Sequence, residues 1–162
     1  MKIIASLLLG LSLFPANVFA GEYFVVQKEW EGIEREYLIF FPEQYQLSEN
    51  ELFPVMFGLH GYTGTASGFE KETTKGMNLL AEKEGIVLVY PQGTYFTSIN
   101  KDEPWFISSW NDVVSNAEQK PNKPRKCQLD RDEYPRPPEC RDFNFCAWTS
   151  CHDDLGFLKA IL

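Results

Sequence analysis

The stretch FGLHGYTGTASGF, residues Phe57 to Phe69, begins as apolar chain, reaches His60-Gly61, and then scatters two further glycines among small hydroxyl residues. Its upstream part belongs to PVMFGLH (54–60), an apolar run without alternation. Such runs suit a strand covered on both faces, as in parallel sheets, and Pro54 is compatible with its first position. Downstream, Thr73, Met77, Leu80, Ala81 and Glu84 follow helical spacing, so a helix is expected between Phe69 and Glu84, with Gly85 at its C-cap. Gly76 weakens that helix without forbidding it. IVLVYP (86–91) is then a second continuous apolar strand. Strand, helix and strand joined by short links form a βαβ unit, which makes the two strands parallel neighbours in one sheet. The bare turn at 60–64 follows the first of them. Glycine there lets another molecule come close to the backbone.

Working outward, EYFVVQKEW (22–30) and IEREYLIFFP (33–42) are rich in β-branched and aromatic residues and are separated by Glu31-Gly32, a hairpin signal. In the second run Arg35, Tyr37, Ile39 and Phe41 share one face, and Glu34, Glu36, Leu38 and Phe40 the other. Polar residues come first and apolar ones later, as in a strand that enters the core as it runs. EQYQLSENELF (43–53) reads as a polar loop.

The first twenty residues, MKIIASLLLGLSLFPANVFA, carry one lysine, a short apolar run and small residues up to Ala20. This is the pattern of a secretory signal peptide cleaved after Ala20. The run is too short for a bilayer core of about 30 Å and contains Pro15. A secreted or periplasmic protein without membrane attachment after cleavage is expected, with residues 21–162 as one domain. The net charge of −8 gives no general means of holding phosphate backbones, so nucleic acid is a poor partner.

From Pro91 to Ser150 the periodicity dissolves. Most of the ten prolines and all four cysteines, Cys127, Cys140, Cys146 and Cys151, lie here. A structureless segment this long is often a lid or binding loop, and Trp105, Phe106, Trp110, Phe143, Phe145 and Trp148 argue against complete disorder. Export favours two disulfides over a zinc site built from Cys146, Cys151 and His152. Three pairings are open; Cys127–Cys140 with Cys146–Cys151 closes the shortest loops. Asp130, Asp132 and Glu133 lack the glycine and distal glutamate of a calcium loop and read as solvated charge. In TSCHDDLGFLKAIL (149–162), Ser150 and Asp153 have capping-box spacing, His152 reads as a cap or surface residue, and Asp153 and Asp154 suit a helix N-terminus. Leu155, Leu158 and Leu162, flanked by Phe157 and Ile161, form an apolar stripe.

With LHGYTG (59–64), IVLVYPQG (86–93), SSWND (108–112) and HDDLGFL (152–158) in this order, the chain resembles the α/β-hydrolases, and more narrowly the secreted esterases grouped with polyhydroxybutyrate depolymerases and feruloyl esterases. The resemblance covers most of residues 33–162 outside the Cys-rich stretch. It implies an α/β fold made of the N-terminal part of an α/β-hydrolase sheet: a β-hairpin, a βαβ unit, a Cys/Pro-rich insertion at about 92–150, and a helix. It also implies that the turn supplies half of an oxyanion hole, through the N–H of Tyr62 or, second, of Thr63. His60, Gly61 and Gly64 would support the turn, because the catalytic histidine of such enzymes comes late in the chain. Trp105 and Trp110 are candidates for the substrate side, against a role in packing the loop onto the sheet. No cofactor and no metal is implied, and the partner is an ester substrate, with feruloyl esters, polyesters, acetylated polysaccharides and small acyl esters as the candidates.

One departure is large. No G-x-S-x-G occurs in the chain, and in Gly64-Thr65-Ala66-Ser67-Gly68 the serine stands one position late. In the family the nucleophile elbow comes one strand after the helix that begins near Asp153. Serine, acid and histidine are therefore expected beyond Leu162, with this chain the N-terminal portion of an enzyme and inactive alone. The alternative is a non-catalytic exported module that binds carbohydrate or another ligand through its aromatic, disulfide-held loop.

Overall fold

The computed structural model describes residues 21–48, 50–97, 106–111, 125–131 and 147–162. Residues 1–20, expected to be a signal peptide, and Trp105, Asp132, Glu133, Cys140 and Cys146 lie outside them. The fold is mixed α/β. The hairpin is β1 (Glu22–Trp30) and β2 (Ile33–Phe41), paired residue for residue from Glu22 opposite Phe41 to Trp30 opposite Ile33. Glu31 and Gly32 between them both have positive φ, 51° and 75°, as the tightest hairpin turns require.

β3 (Val55–Phe57) and β4 (Val87–Pro91) are parallel, as the two apolar runs predict, and β4 also pairs antiparallel with β2. The sheet order is β1-β2-β4-β3. Every residue of β4 is buried. β3 is not covered on both faces as its composition predicts. It is a short edge strand, and Val55 and Met56 are 42% and 36% exposed. The polar stretch after β2 holds a short helix, α1 (Glu43–Leu47).

The single helix expected over Phe69–Glu84 is two, α2 (Ala66–Glu72) and α3 (Gly76–Glu84). The break falls on Thr73-Thr74-Lys75, and Thr74 and Lys75 take left-handed φ of 50° and 60°. The Thr73 hydroxyl donates to Glu70 O at 2.9 Å, a local bond that competes with helix continuation. Gly85 caps α3 with φ 65°. Leu38 and Phe40 of β2, Ala66, Ala81, Leu88 and Tyr90 form the main core. Inside it the Tyr90 hydroxyl donates to Asn78 Oδ1 (2.7 Å), and Asn78 donates to Glu70 Oε1 (3.0 Å), tying β4 to both helices.

The stretch from Pro91 to Ser150 is not without structure. It contains β5 (Thr94–Thr97) antiparallel to β6 (Phe106–Ser109), and β7 (Arg125–Gln128) parallel to β8 (Ala147–Ser150). Strands this short carry too few residues to show a period of two. Phe96 and Ile107 make a small second core. A disulfide joins Cys127 to Cys151, not Cys127 to Cys140 or Cys146 to Cys151 as shortest loops suggest. The pairing of β7 with β8 brings these two cysteines together, which overrides loop length.

The last helix, α4 (Asp154–Ile161), is capped by Asp153, whose carboxylate accepts from the Gly156 N–H at 2.8 Å. Ser150 is not the cap; it ends β8, and its hydroxyl accepts the His152 N–H. The buried members of α4 are Asp154 and Phe157, whereas Leu155 and Leu162 are exposed. Among the described residues no helix is long and apolar enough to cross a membrane.

Candidate functional site

Because β3 and β4 are parallel, both chains leave the sheet at the same end. Ligands of open α/β sheets gather outside the C-terminal ends of such strands. Gly58 extends the pairing, its N–H donating to Val89 O at 2.8 Å. Beyond it the chain turns through residues 60–64, while β4 continues into Gln92-Gly93.

His60 bridges the two exits and is 4% exposed. The Gly93 N–H donates to its Nε2 at 2.9 Å, which makes Nε2 an acceptor and places the ring proton on Nδ1. Nδ1 then donates to Gly61 O at 2.8 Å. Burial lowers the His60 pKa from the ordinary histidine value, and the bond to Gly61 O and the charge of Asp154 oppose this in part. The neutral ring fits a brace. Gln92 lies against the same ring nitrogen, donates to Gly93 O (3.2 Å), and accepts the N–H of Ala66, the first residue of α2 (2.9 Å).

β6 and the two residues after it close the turn from the other side. The Thr63 N–H donates to Ser108 O at 3.0 Å, the Ser108 hydroxyl donates to Gly64 O, and the Gly64 N–H donates to Gly61 O at 3.0 Å. The Trp110 indole N–H donates to His60 O at 2.9 Å, and its ring lies 5.0 Å from the imidazole. Thr63 takes a left-handed φ of 67°. Thr65 caps α2 through the Gly68 N–H at 2.9 Å. A side chain at Gly64 would meet Gly61 O at 3.0 Å and His60 Cβ at 3.2 Å, whereas at Gly61 nothing lies within 4 Å. Close packing therefore demands glycine at 64 and not at 61. Tyr62 stands at the apex with its side chain half exposed.

His60, Gly61, Tyr62, Thr63, Gly64 and Trp110 are thus brought together. Trp110 packs on the turn itself. His152 is neither the cap nor a surface residue. It is buried, its Nε2 lies 3.2 Å from Leu129 O, and its carbonyl accepts from Asn111 Nδ2 at 3.0 Å. Cys151, being in a disulfide, has no thiolate to offer a zinc ion.

The sequence reading placed Arg35 on a strand face and Asp154 at a helix N-terminus but did not bring the two together. Arg35 Nη2 pairs with Asp154 Oδ1 at 2.6 Å, with both side chains almost fully buried. The same nitrogen donates to Gln92 O at 3.0 Å, and the guanidinium lies over the Phe157 ring at 4.2 Å. The other Asp154 oxygen accepts the Asn111 N–H at 2.5 Å. This pair ties β2, the exit of β4, the segment after β6 and the start of α4 together beneath the turn. The signal was an arginine sharing a strand face with Tyr37, Ile39 and Phe41.

No protein-family model and no curated protein sequence matches the chain. Among solved structures, the apoenzyme crystal structure of S-formylglutathione hydrolase (FrmB) from Staphylococcus aureus is similar to part of it, at a TM-score of 0.39 and 15% identity. That likeness covers 46% of this chain and 31% of the hydrolase chain, so the chain spans about a third of the length of that structure.

Proposed function

We propose that this chain is the N-terminal portion of an exported serine esterase, and that the turn at 60–64 holds one half of its oxyanion hole. The observation that carries the reading is the way His60 pins the turn to Gly93 at the shared exit of two parallel strands. Ester hydrolysis through an acyl-enzyme places negative charge on a carbonyl oxygen in each tetrahedral intermediate. A fixed N–H aimed at that oxygen is worth about 3 kcal/mol, because it need not reorganise as charge develops. The Thr63 N–H is engaged by Ser108, and the resemblance puts the donor first at the N–H of Tyr62. His60 acts as a positioning residue, because both of its ring nitrogens already hold the turn. No G-x-S-x-G is present, so nucleophile, acid and base come from sequence outside these 162 residues. The substrates in this reading are carboxylic esters of the polyester, feruloyl or acylated-polysaccharide kind.

The test joins residues 21–162 to the coding sequence downstream of Leu162, in whichever frame supplies G-x-S-x-G, and assays p-nitrophenyl acetate. Hydrolysis blocked by a serine-reactive phosphonate is expected from the joined protein, and none from residues 21–162 alone. Turnover by residues 21–162 alone, or a downstream sequence without the elbow, overturns the reading. Glycan binding without turnover would favour a binding module.

A further inference from the structure

Among the described residues the hairpin leaves a long edge of the sheet without a neighbouring strand. β1 runs nine residues, with β2 on one side and, among the described residues, no strand on the other. Natural edge strands are blunted by shortness, charged side chains, proline or bulges, and of these β1 carries only the charges Glu22, Lys28 and Glu29. β1 has no proline, and its pairing with β2 is unbroken over its whole length. Tyr23, Phe24 and Val25 are 43%, 44% and 61% exposed.

The turn fixes which backbone groups are available. In a two-residue hairpin the residues flanking the turn are a hydrogen-bonded pair, and bonded pairs alternate along the ladder. Trp30, Lys28, Val26, Phe24 and Glu22 therefore direct their N–H and C=O groups at β2. Glu29, Gln27, Val25 and Tyr23 direct theirs outward.

We propose that β1 is a homodimer interface, in which it pairs antiparallel with β1 of a second copy about a two-fold axis at Val25. The two four-stranded sheets then become one. This centre joins two outward-facing Val25 residues as a hydrogen-bonded pair. It sets Tyr23 opposite the partner's Gln27, Phe24 opposite the partner's Val26, and Glu22 opposite the partner's Lys28. By symmetry the ion pair forms twice, on the same face as the apolar contacts. Other centres lose this match. A centre at Val26 sets Lys28 against Phe24 and Glu22 against Trp30. A centre at Phe24 sets Glu22 against Val26. Opposite charges across a strand pair are favourable, and like charges are unfavourable. The chain's net charge of −8 opposes association of two copies, so added salt strengthens the dimer overall by screening.

Sedimentation velocity on the exported protein, from about 1 μM to about 500 μM, reads this directly. A monomer–dimer equilibrium is expected. Val25→Lys places two ammonium groups on the axis and should abolish the dimer. It removes little core because Val25 is already mostly exposed. Lys28→Glu should weaken the dimer roughly tenfold by facing Glu22 with a like charge, and adding Glu22→Lys should restore it. A monomer at every concentration overturns the proposal. So does a dimer indifferent to Val25→Lys, or a double charge reversal no tighter than the single one. If Val25→Lys does not fold, the charge-reversal series decides alone.

Discussion

Arg35 and Asp154, 119 residues apart, meet at 2.6 Å with side chains only 2% and 3% exposed. Their pairing sets the base on which the turn at 60–64 rests, because Arg35 also holds Gln92 O, and Gln92 touches His60. Removing one member of a buried pair strands the other charge, at a cost of about 3–5 kcal/mol. Asp154→Leu or Arg35→Met should therefore lower the midpoint of a urea melt sharply. Arg35→Met combined with Asp154→Leu should recover most of the loss. A double variant as unstable as the sum of the two single ones would show that the pair does not act as a unit.

His60 predicts a pH dependence. Burial lowers its pKa in the folded protein below the ordinary value of about 6.5. The unfolded chain therefore binds a proton that the folded one refuses, and stability rises with pH across that interval. The contribution of His60 is fully present above about pH 6.5 and is lost as pH falls from there through the folded value. Urea midpoints measured between those limits should fall with acidity in the parent protein. His60→Gln should be less stable at neutral pH and show a shallower slope. An unchanged slope would contradict the burial assigned to the imidazole.

The glycines separate by packing. A methyl at Gly93 would meet Ser109 O at 3.0 Å and His60 Cε1 at 3.2 Å, and one at Gly64 would meet Gly61 O at 3.0 Å. Gly93→Ala and Gly64→Ala should each cost about 1–3 kcal/mol from overpacking. Gly61→Ala, with open space around it, should cost far less. Thermal melts of the three variants check the order.

The disulfide is directly observable. Peptide mapping without reductant should recover a fragment linking Cys127 to Cys151. Replacing both by serine should cost roughly 3 kcal/mol by the loop-entropy estimate for a separation of 24 residues. Linkage of Cys127 to Cys140 would restore the shortest-loop pairing.

Much of the sheet was legible because long apolar runs and a Glu-Gly turn leave few readings. β1, β2 and β4, the parallel pairing of β3 with β4, and the cap at Gly85 are all visible that way. The exposure of β3 was not, since apolar composition tells nothing of which strand ends a sheet. The break in the helix at Thr73–Lys75 depends on a hydroxyl bond and two left-handed residues that spacing cannot show. β5 to β8 were missed because four-residue strands are specified by their partners. At the site, the glycines and His60 drew attention to the turn, but its hydrogen bonds join residues up to fifty positions apart. The period of two did place Arg35 on an apolar face, and that misfit was the available clue to Asp154.

The turn at 60–64 owes its shape to residues outside it. Gly93 positions the His60 ring, Ser108 holds Thr63 and Gly64, and Trp110 holds the His60 carbonyl. It is therefore not a portable module. An excised LHGYTGT peptide, or the same seven letters grafted onto another strand, would carry the glycines but leave behind the donors and acceptors that set the curve. Transplanting the feature means moving two distant segments with it, the exit of β4 at Gly93 and the stretch from Ser108 to Trp110.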